Sequence, residues 1–142
     1  MFRSKSPPNS TTILVAEHEG AVGDMICDAL RAEGYEVIHA SDGLQALRTA
    51  AAQTSEVHLL LTDVVLPGLY GWELVELMKL DWPRLKVLYV SSRLDWDTLA
   101  LAQSHFVVLM KPFDSGALAR CVGAALRSPS VQMSPDELFL LK

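Results

Sequence analysis

Residues 59–68 read Leu-Leu-Leu-Thr-Asp-Val-Val-Leu-Pro-Gly, and this is the most informative segment of the chain. An apolar run over residues 57–62 has the length of a buried strand and ends in a single carboxylate, Asp63. The Pro67-Gly68 pair that follows is typical of a turn. The stretch therefore predicts a buried strand that delivers Asp63 to a loop at the edge of a sheet.

The composition is that of one globular domain. The chain has 142 residues, of which 50% are hydrophobic and 20% charged, so it is long enough for one well-formed core and short for two. A net charge of −5 and the lack of a Lys/Arg-rich run argue against nucleic acid or an anionic membrane as a partner. No apolar run reaches the roughly 20 residues that span a bilayer, and no signal peptide is apparent. We therefore expect a cytoplasmic protein.

Strand-like and helix-like segments alternate along the chain. Compact apolar runs predict five strands, over residues 12–16, 35–40, 57–62, 86–90 and 106–110. Apolar residues at three-to-four spacing predict five helices, over residues 21–33, about 43–53, 72 to before Pro83, about 95–103, and 114–126. Strands that are apolar at every position must be covered by helices on both faces, so the fold class is α/β with a doubly wound parallel sheet.

The two ends of the chain are expected to lie outside this fold. Residues 1–11 offer little to bury and are predicted to be disordered. Residues 12–127 form the predicted single domain. Residues 128–142 are a tail in which Ser134 and Glu137 have the spacing of a capping box before an apolar run, which predicts one short helix.

Polar residues follow four of the five predicted strands. The first strand ends in Glu17 and His18, the third in Asp63, the fourth in Ser91, and the fifth in Lys111. Because parallel strands end at the same edge of a sheet, these groups are expected to converge. A carboxylate nucleophile, an acidic neighbour that helps hold Mg²⁺, and an ammonium with a hydroxyl to stabilise phosphoryl oxygens suit phosphoryl transfer.

The chain resembles bacterial response-regulator receiver domains over about residues 12–126. The resemblance is carried by the stretch 60–68 and by two further motifs, Asp42-Gly43-x-x-Ala46-Leu47 and Lys111-Pro112-Phe113. It implies a flavodoxin-like fold, a doubly wound five-stranded parallel sheet in the order 2-1-3-4-5 with five helices in a single domain.

The resemblance also implies a function. Asp63 would accept a phosphoryl group from a histidine kinase, a phosphotransfer protein or a small phosphodonor, assisted by Lys111 and Ser91. Glu17, Asp63 and the backbone carbonyl of Val65 would hold Mg²⁺. Because no second domain follows in the sequence, the signal is expected to pass through an unidentified downstream protein partner or through a homodimer.

Two positions depart from the pattern of the family. His18 stands where an acidic residue usually binds the metal directly, so we expect weak Mg²⁺ binding. It is either a position that has drifted or a dedicated transition-metal ligand. Val108 stands three residues before Lys111, where the family has an aromatic switch residue.

Three functional classes therefore compete. The leading one is a phosphorylatable receiver, and the second is a pseudo-receiver that keeps the fold as an interaction module but phosphorylates poorly. The third is a phosphatase of the haloacid-dehalogenase kind, which needs a second Asp two residues after its nucleophile. Val65 stands at that position, so the enzyme hypothesis is disfavoured.

Overall fold

The computed structural model describes residues 10–92 and 107–128. The predicted helix over residues 95–103 lies outside them, as do residues 1–9 of the predicted disordered segment and all of the tail beyond residue 128. The described residues contain four helices, against the five that the sequence predicts. These are α1 (Gly20–Ala32), α2 (Gly43–Ala51), α3 (Gly71–Met78) and α4 (Ser115–Arg127).

The strands form the predicted sheet. They are β1 (Thr12–Ala16), β2 (Glu36–Ala40), β3 (Leu59–Asp63), β4 (Val65–Leu66), β5 (Leu69–Tyr70), β6 (Lys86–Ser91) and β7 (Val107–Met110). Five of them make one sheet in the order β2-β1-β3-β6-β7, and every neighbouring pair is parallel. This confirms the predicted order 2-1-3-4-5, with β6 and β7 as its fourth and fifth strands.

The central strand explains why both faces of the sheet need helices. Leu60 packs in a core cluster with residues of α2 and α3, whereas Leu59 and Leu61 pack in a second cluster with residues of α1 and α4. All three leucines are completely buried, and each such burial contributes about 1.5–3 kcal/mol. An apolar residue at every strand position thus reflects a sheet covered on both sides.

The end of α1 and the start of α4 are each set by one nearby residue. Gly34 follows α1 with a φ of 97°, a backbone conformation that favours glycine. The backbone N–H of Gly34 donates to the carbonyl of Arg31 at 3.0 Å, and the N–H of Tyr35 donates to the carbonyl of Leu30 at 3.2 Å. This pair of hydrogen bonds is a Schellman motif, which ends the helix. The carboxylate of Asp114 begins α4 by accepting the N–H of Ala117 at 2.8 Å.

A small hairpin that was not predicted leads from β3 into α3. Strands β4 and β5 pair antiparallel around the Pro67-Gly68 turn, in which Gly68 has a φ of 81°. The N–H of Gly71, the first residue of α3, donates to the carbonyl of Val64 at 2.7 Å. The hairpin therefore returns the chain directly to the end of β3. No helix within the described ranges is long and apolar enough to cross a membrane.

Gly71→Ala is expected to lower the free energy of unfolding by about 2 kcal/mol, because the added Cβ would overlap the backbone carbonyl oxygen of Asp63. Gly20→Ala is the matched control, since Gly20 is also the first residue of a helix and a Cβ there meets nothing within 4 Å. Urea unfolding of both variants measures the difference. Equal stabilities would show that the β3–α3 junction is not tightly packed.

Candidate functional site

The polar residues predicted to converge all lie at the carboxyl edge of the sheet. Asp63 ends β3 and Ser91 ends β6, while Glu17 and Lys111 directly follow β1 and β7. Glu17 is completely buried and Asp63 is 4% exposed. Two carboxylates are thus held almost out of water at one end of the sheet.

Lys111 is the cation of this cluster. Its Nζ lies 3.2 Å from Asp63 Oδ1, 3.3 Å from Glu17 Oε1 and 2.6 Å from Glu19 Oε1. The backbone N–H of Lys111 donates to the carbonyl of Ser91 at 2.8 Å, which fixes the start of the side chain beside β6. One ammonium therefore faces three carboxylates.

The pKa values reflect this crowding of charge. Burial, followed by the hydrogen bond and charge of Asp63, raises the pKa of Glu17 to about 7. Burial alone would lower the pKa of Lys111, but the hydrogen bond to Glu19 and the charges of Asp63 and Glu17 outweigh it and raise the pKa. The negative charge of the site is therefore incompletely balanced by Lys111.

The residues present fit a divalent cation. Ligand atoms of Glu17, His18 and Asp63 all lie within 4.8 Å of one another. Glu17 Oε1 and Asp63 Oδ1 are both buried, and each faces the Lys111 ammonium, at 3.3 Å and 3.2 Å. Buried carboxylate oxygens of this kind are suitable ligands for Mg²⁺, whereas an imidazole suits transition metals better.

His18 engages Asp63 through both its backbone and its side chain. Its N–H donates to Asp63 Oδ2 at 3.2 Å, and Nδ1 lies 3.1 Å from the same oxygen. Because a carboxylate oxygen accepts, the imidazole donates through a protonated Nδ1. The ring is 47% exposed, so it stands at the mouth of the site between Asp63 and solvent.

Two predicted residues are not brought into direct contact with the carboxylates. Ser91 is buried and its hydroxyl donates to the carbonyl of Ser92 at 2.8 Å, so its proton is not donated to Asp63. Val65 pairs with Tyr70 in the hairpin, close to Asp63 in the chain. The predicted metal contact of its carbonyl stays a prediction.

Sequence reasoning missed Glu19 and His39. Glu19 is the N-cap residue of α1, and its position two residues after Glu17 on the same loop was an available signal. His39 lies on β2 and is paired in register with Val15 of β1. Its Nε2 is 3.1 Å from the backbone carbonyl oxygen of Glu17. A polar residue on an edge strand is common, so the sequence alone carried little signal for this contact.

Comparison with known proteins gives a consistent family. Residues 13–122 match the family model for the response regulator receiver domain. The chain is 34% identical over 116 residues to the sensor kinase CckA of Brucella abortus (strain 2308), covering 80% of the chain and 12% of that protein. It is 33% identical over 128 residues to the DNA-binding transcriptional regulator NtrC of Rhizobium meliloti (strain 1021), and the match covers 89% of the chain and 26% of that regulator. The chain thus spans a small part of these curated relatives.

Solved structures show the same fold. The receiver domain of the hybrid histidine kinase CckA superposes with a TM-score of 0.69 at 33% identity, over 82% of this chain and 99% of that one. A response regulator receiver domain protein from Clostridium thermocellum gives a TM-score of 0.73 at 25% identity, over 93% and 99%. The chain therefore belongs to the response regulator receiver domain family, the signalling domain of two-component systems, and is not a conventional enzyme.

Proposed function

We propose that the protein is a phosphorelay receiver in which Asp63 accepts the phosphoryl group. Receiver domains interact with histidine kinases or phosphotransfer proteins, and the donor here is the phosphohistidine of such a protein or a small phosphodonor. The observation that supports the proposal is the carboxylate of Asp63, 4% exposed, with the Lys111 ammonium 3.2 Å away at the carboxyl edge of the sheet. A carboxylate placed beside a fixed cation suits transfer of a charged group.

The chemistry requires little from the protein. One carboxylate oxygen of Asp63 forms a bond to phosphorus as the bond from phosphorus to the donor nitrogen breaks, and the leaving imidazole takes a proton from water. An ionised carboxylate has no proton to lose, so no general base is needed. Lys111 offsets the charge on the phosphoryl oxygens. Mg²⁺ held by Glu17, Asp63 and the carbonyl of Val65 would neutralise more of it.

Ser91 takes part only after a rearrangement. Its hydroxyl donates to the carbonyl of Ser92, and a serine hydroxyl has a single proton to donate. Rotation about χ1 would redirect this hydrogen bond to an oxygen of the phosphoryl group. In this proposal phosphorylation breaks the Ser91–Ser92 hydrogen bond at the end of β6.

His18 supports a second candidate function, a pseudo-receiver. The imidazole Nδ1 lies 3.1 Å from Asp63 Oδ2, and Lys111 pairs with Oδ1, so protein groups face both carboxylate oxygens without a metal. Such a domain would act as an interaction module that phosphorylates poorly. Both candidates signal through a downstream protein partner or a homodimer, and the cytoplasmic location stays a prediction.

Asp63→Asn is expected to abolish phosphorylation while the fold persists. Incubation with acetyl phosphate and Mg²⁺, followed by intact mass spectrometry, should add one phosphoryl group to the wild type and none to the variant. Asp114→Asn is the matched control, because Asn caps a helix as well as Asp and this residue lies outside the carboxylate cluster. Phosphorylation of Asp63→Asn would contradict the proposal, and an unmodified wild type would favour the pseudo-receiver.

His18→Asp is expected to tighten Mg²⁺ binding by about tenfold, since it adds an oxygen ligand and a negative charge beside Glu17 and Asp63. His18→Asn separates the two effects, because it adds the oxygen without the charge, and its affinity should be intermediate. The dissociation constants come from the rise in thermal unfolding temperature with Mg²⁺ concentration. Equal affinity in all three proteins would show that the side chain at position 18 does not face the metal.

A further inference from the structure

The edge strand β2 contributes one side chain to the site through a backbone contact. His39 Nε2 lies 3.1 Å from the backbone carbonyl oxygen of Glu17. A carbonyl oxygen only accepts, so Nε2 carries a proton and donates it. The imidazole thus fixes the loop after β1 through the backbone of Glu17.

The other end of the same peptide group reaches the proposed phosphoacceptor. The carbonyl of Glu17 and the N–H of His18 belong to one planar unit, so fixing one end fixes the direction of the other. That N–H donates to Asp63 Oδ2 at 3.2 Å. A hydrogen bond to the carbonyl also polarises the peptide, which strengthens the bond that its N–H donates.

The packing of α1 leaves a specific space for the imidazole. Gly23 lies inside this helix, where glycine is an unfavourable residue. A Cβ at position 23 would lie 2.7 Å from Nε2 and 2.9 Å from Cε1 of His39. Such distances are too short for real contacts, so any other residue at position 23 would displace the ring.

We propose that His39 is a positioning residue for Asp63. It orients the peptide between Glu17 and His18, so that the N–H of His18 holds the carboxylate of Asp63 in one orientation for attack on the phosphodonor. The inference rests on the proposed function of Asp63. His39 itself contacts neither the donor nor the reacting oxygen.

His39→Gln and His39→Met provide the test. The amide nitrogen of Gln is as many bonds from Cα as Nε2 of His, and Met has a similar length without a donor. The readouts are the ¹H shift of the His18 amide in NMR spectra and the rate of phosphorylation by acetyl phosphate with Mg²⁺. Met should shift the amide resonance upfield and slow phosphorylation about fivefold, the effect of one ordinary hydrogen bond. Gln should retain most of both properties.

Gly23→Ala tests the contact between His39 and the Glu17 carbonyl without changing either residue. In the wild-type background it should displace the imidazole and reproduce both effects of His39→Met. In a His39→Ala background, where no ring remains to be displaced, it should change neither the amide shift nor the rate. This pair of backgrounds distinguishes loss of the contact from a general disturbance of α1.

The outcomes separate the two proposals. If the wild type is phosphorylated and His39→Met matches it in both readouts, His39 has no positioning role. Equal losses in the Gln and Met variants would overturn the inference as well, because they would indicate a packing role. A wild type that accepts no phosphoryl group contradicts the proposed function, and an amide shift in His39→Met but not His39→Gln would still support the contact of His39.

Discussion

One ammonium among three carboxylates is the interaction on which the site depends. Exposed ion pairs contribute little to stability, but Glu17 and Asp63 are almost completely buried, where repulsion between like charges is much stronger than in water. Lys111 lies within 3.3 Å of both, so it permits two acids to share the edge of the sheet. Burial and, after it, the neighbouring Asp63 raise the pKa of Glu17. The excess of carboxylates over ammonium groups favours a divalent cation.

The register of the sheet brings this cation to the acids. Asp63 pairs with Val90 of β6, and Ser91, the next residue of that strand, pairs with Met110 of β7. The ends of three neighbouring strands therefore coincide to within one residue. Lys111 follows immediately, and its N–H donates to the carbonyl of Ser91. Parallel pairing thus converts three separate strand ends into one cluster.

The sequence predicted the strands, a parallel sheet covered by helices on both faces and most of the cluster because these depend on local patterns, whereas the order of the strands was implied by the resemblance to receiver domains. Apolar runs mark buried strands, and the first polar residue after each run marks its end. Other features depend on three-dimensional contacts and left no such signal. The two-residue strands β4 and β5 are too short to show a period, and the hydroxyl direction of Ser91 depends on a rotamer. The contact of His39 with the carbonyl of Glu17 depends on the absence of a side chain at Gly23, which leaves room for the imidazole.

The fit between Gly23 and His39 also constrains how the sequence can change. A larger residue at position 23 is compatible with the fold only when the side chain at position 39 leaves that space, because the two groups compete for the same volume. A larger residue introduced first at position 23 overlaps the imidazole, and replacement of His39 then removes that overlap. Among relatives of this chain, the two positions should therefore vary together, although they are separated by most of a helix, a turn and most of a strand.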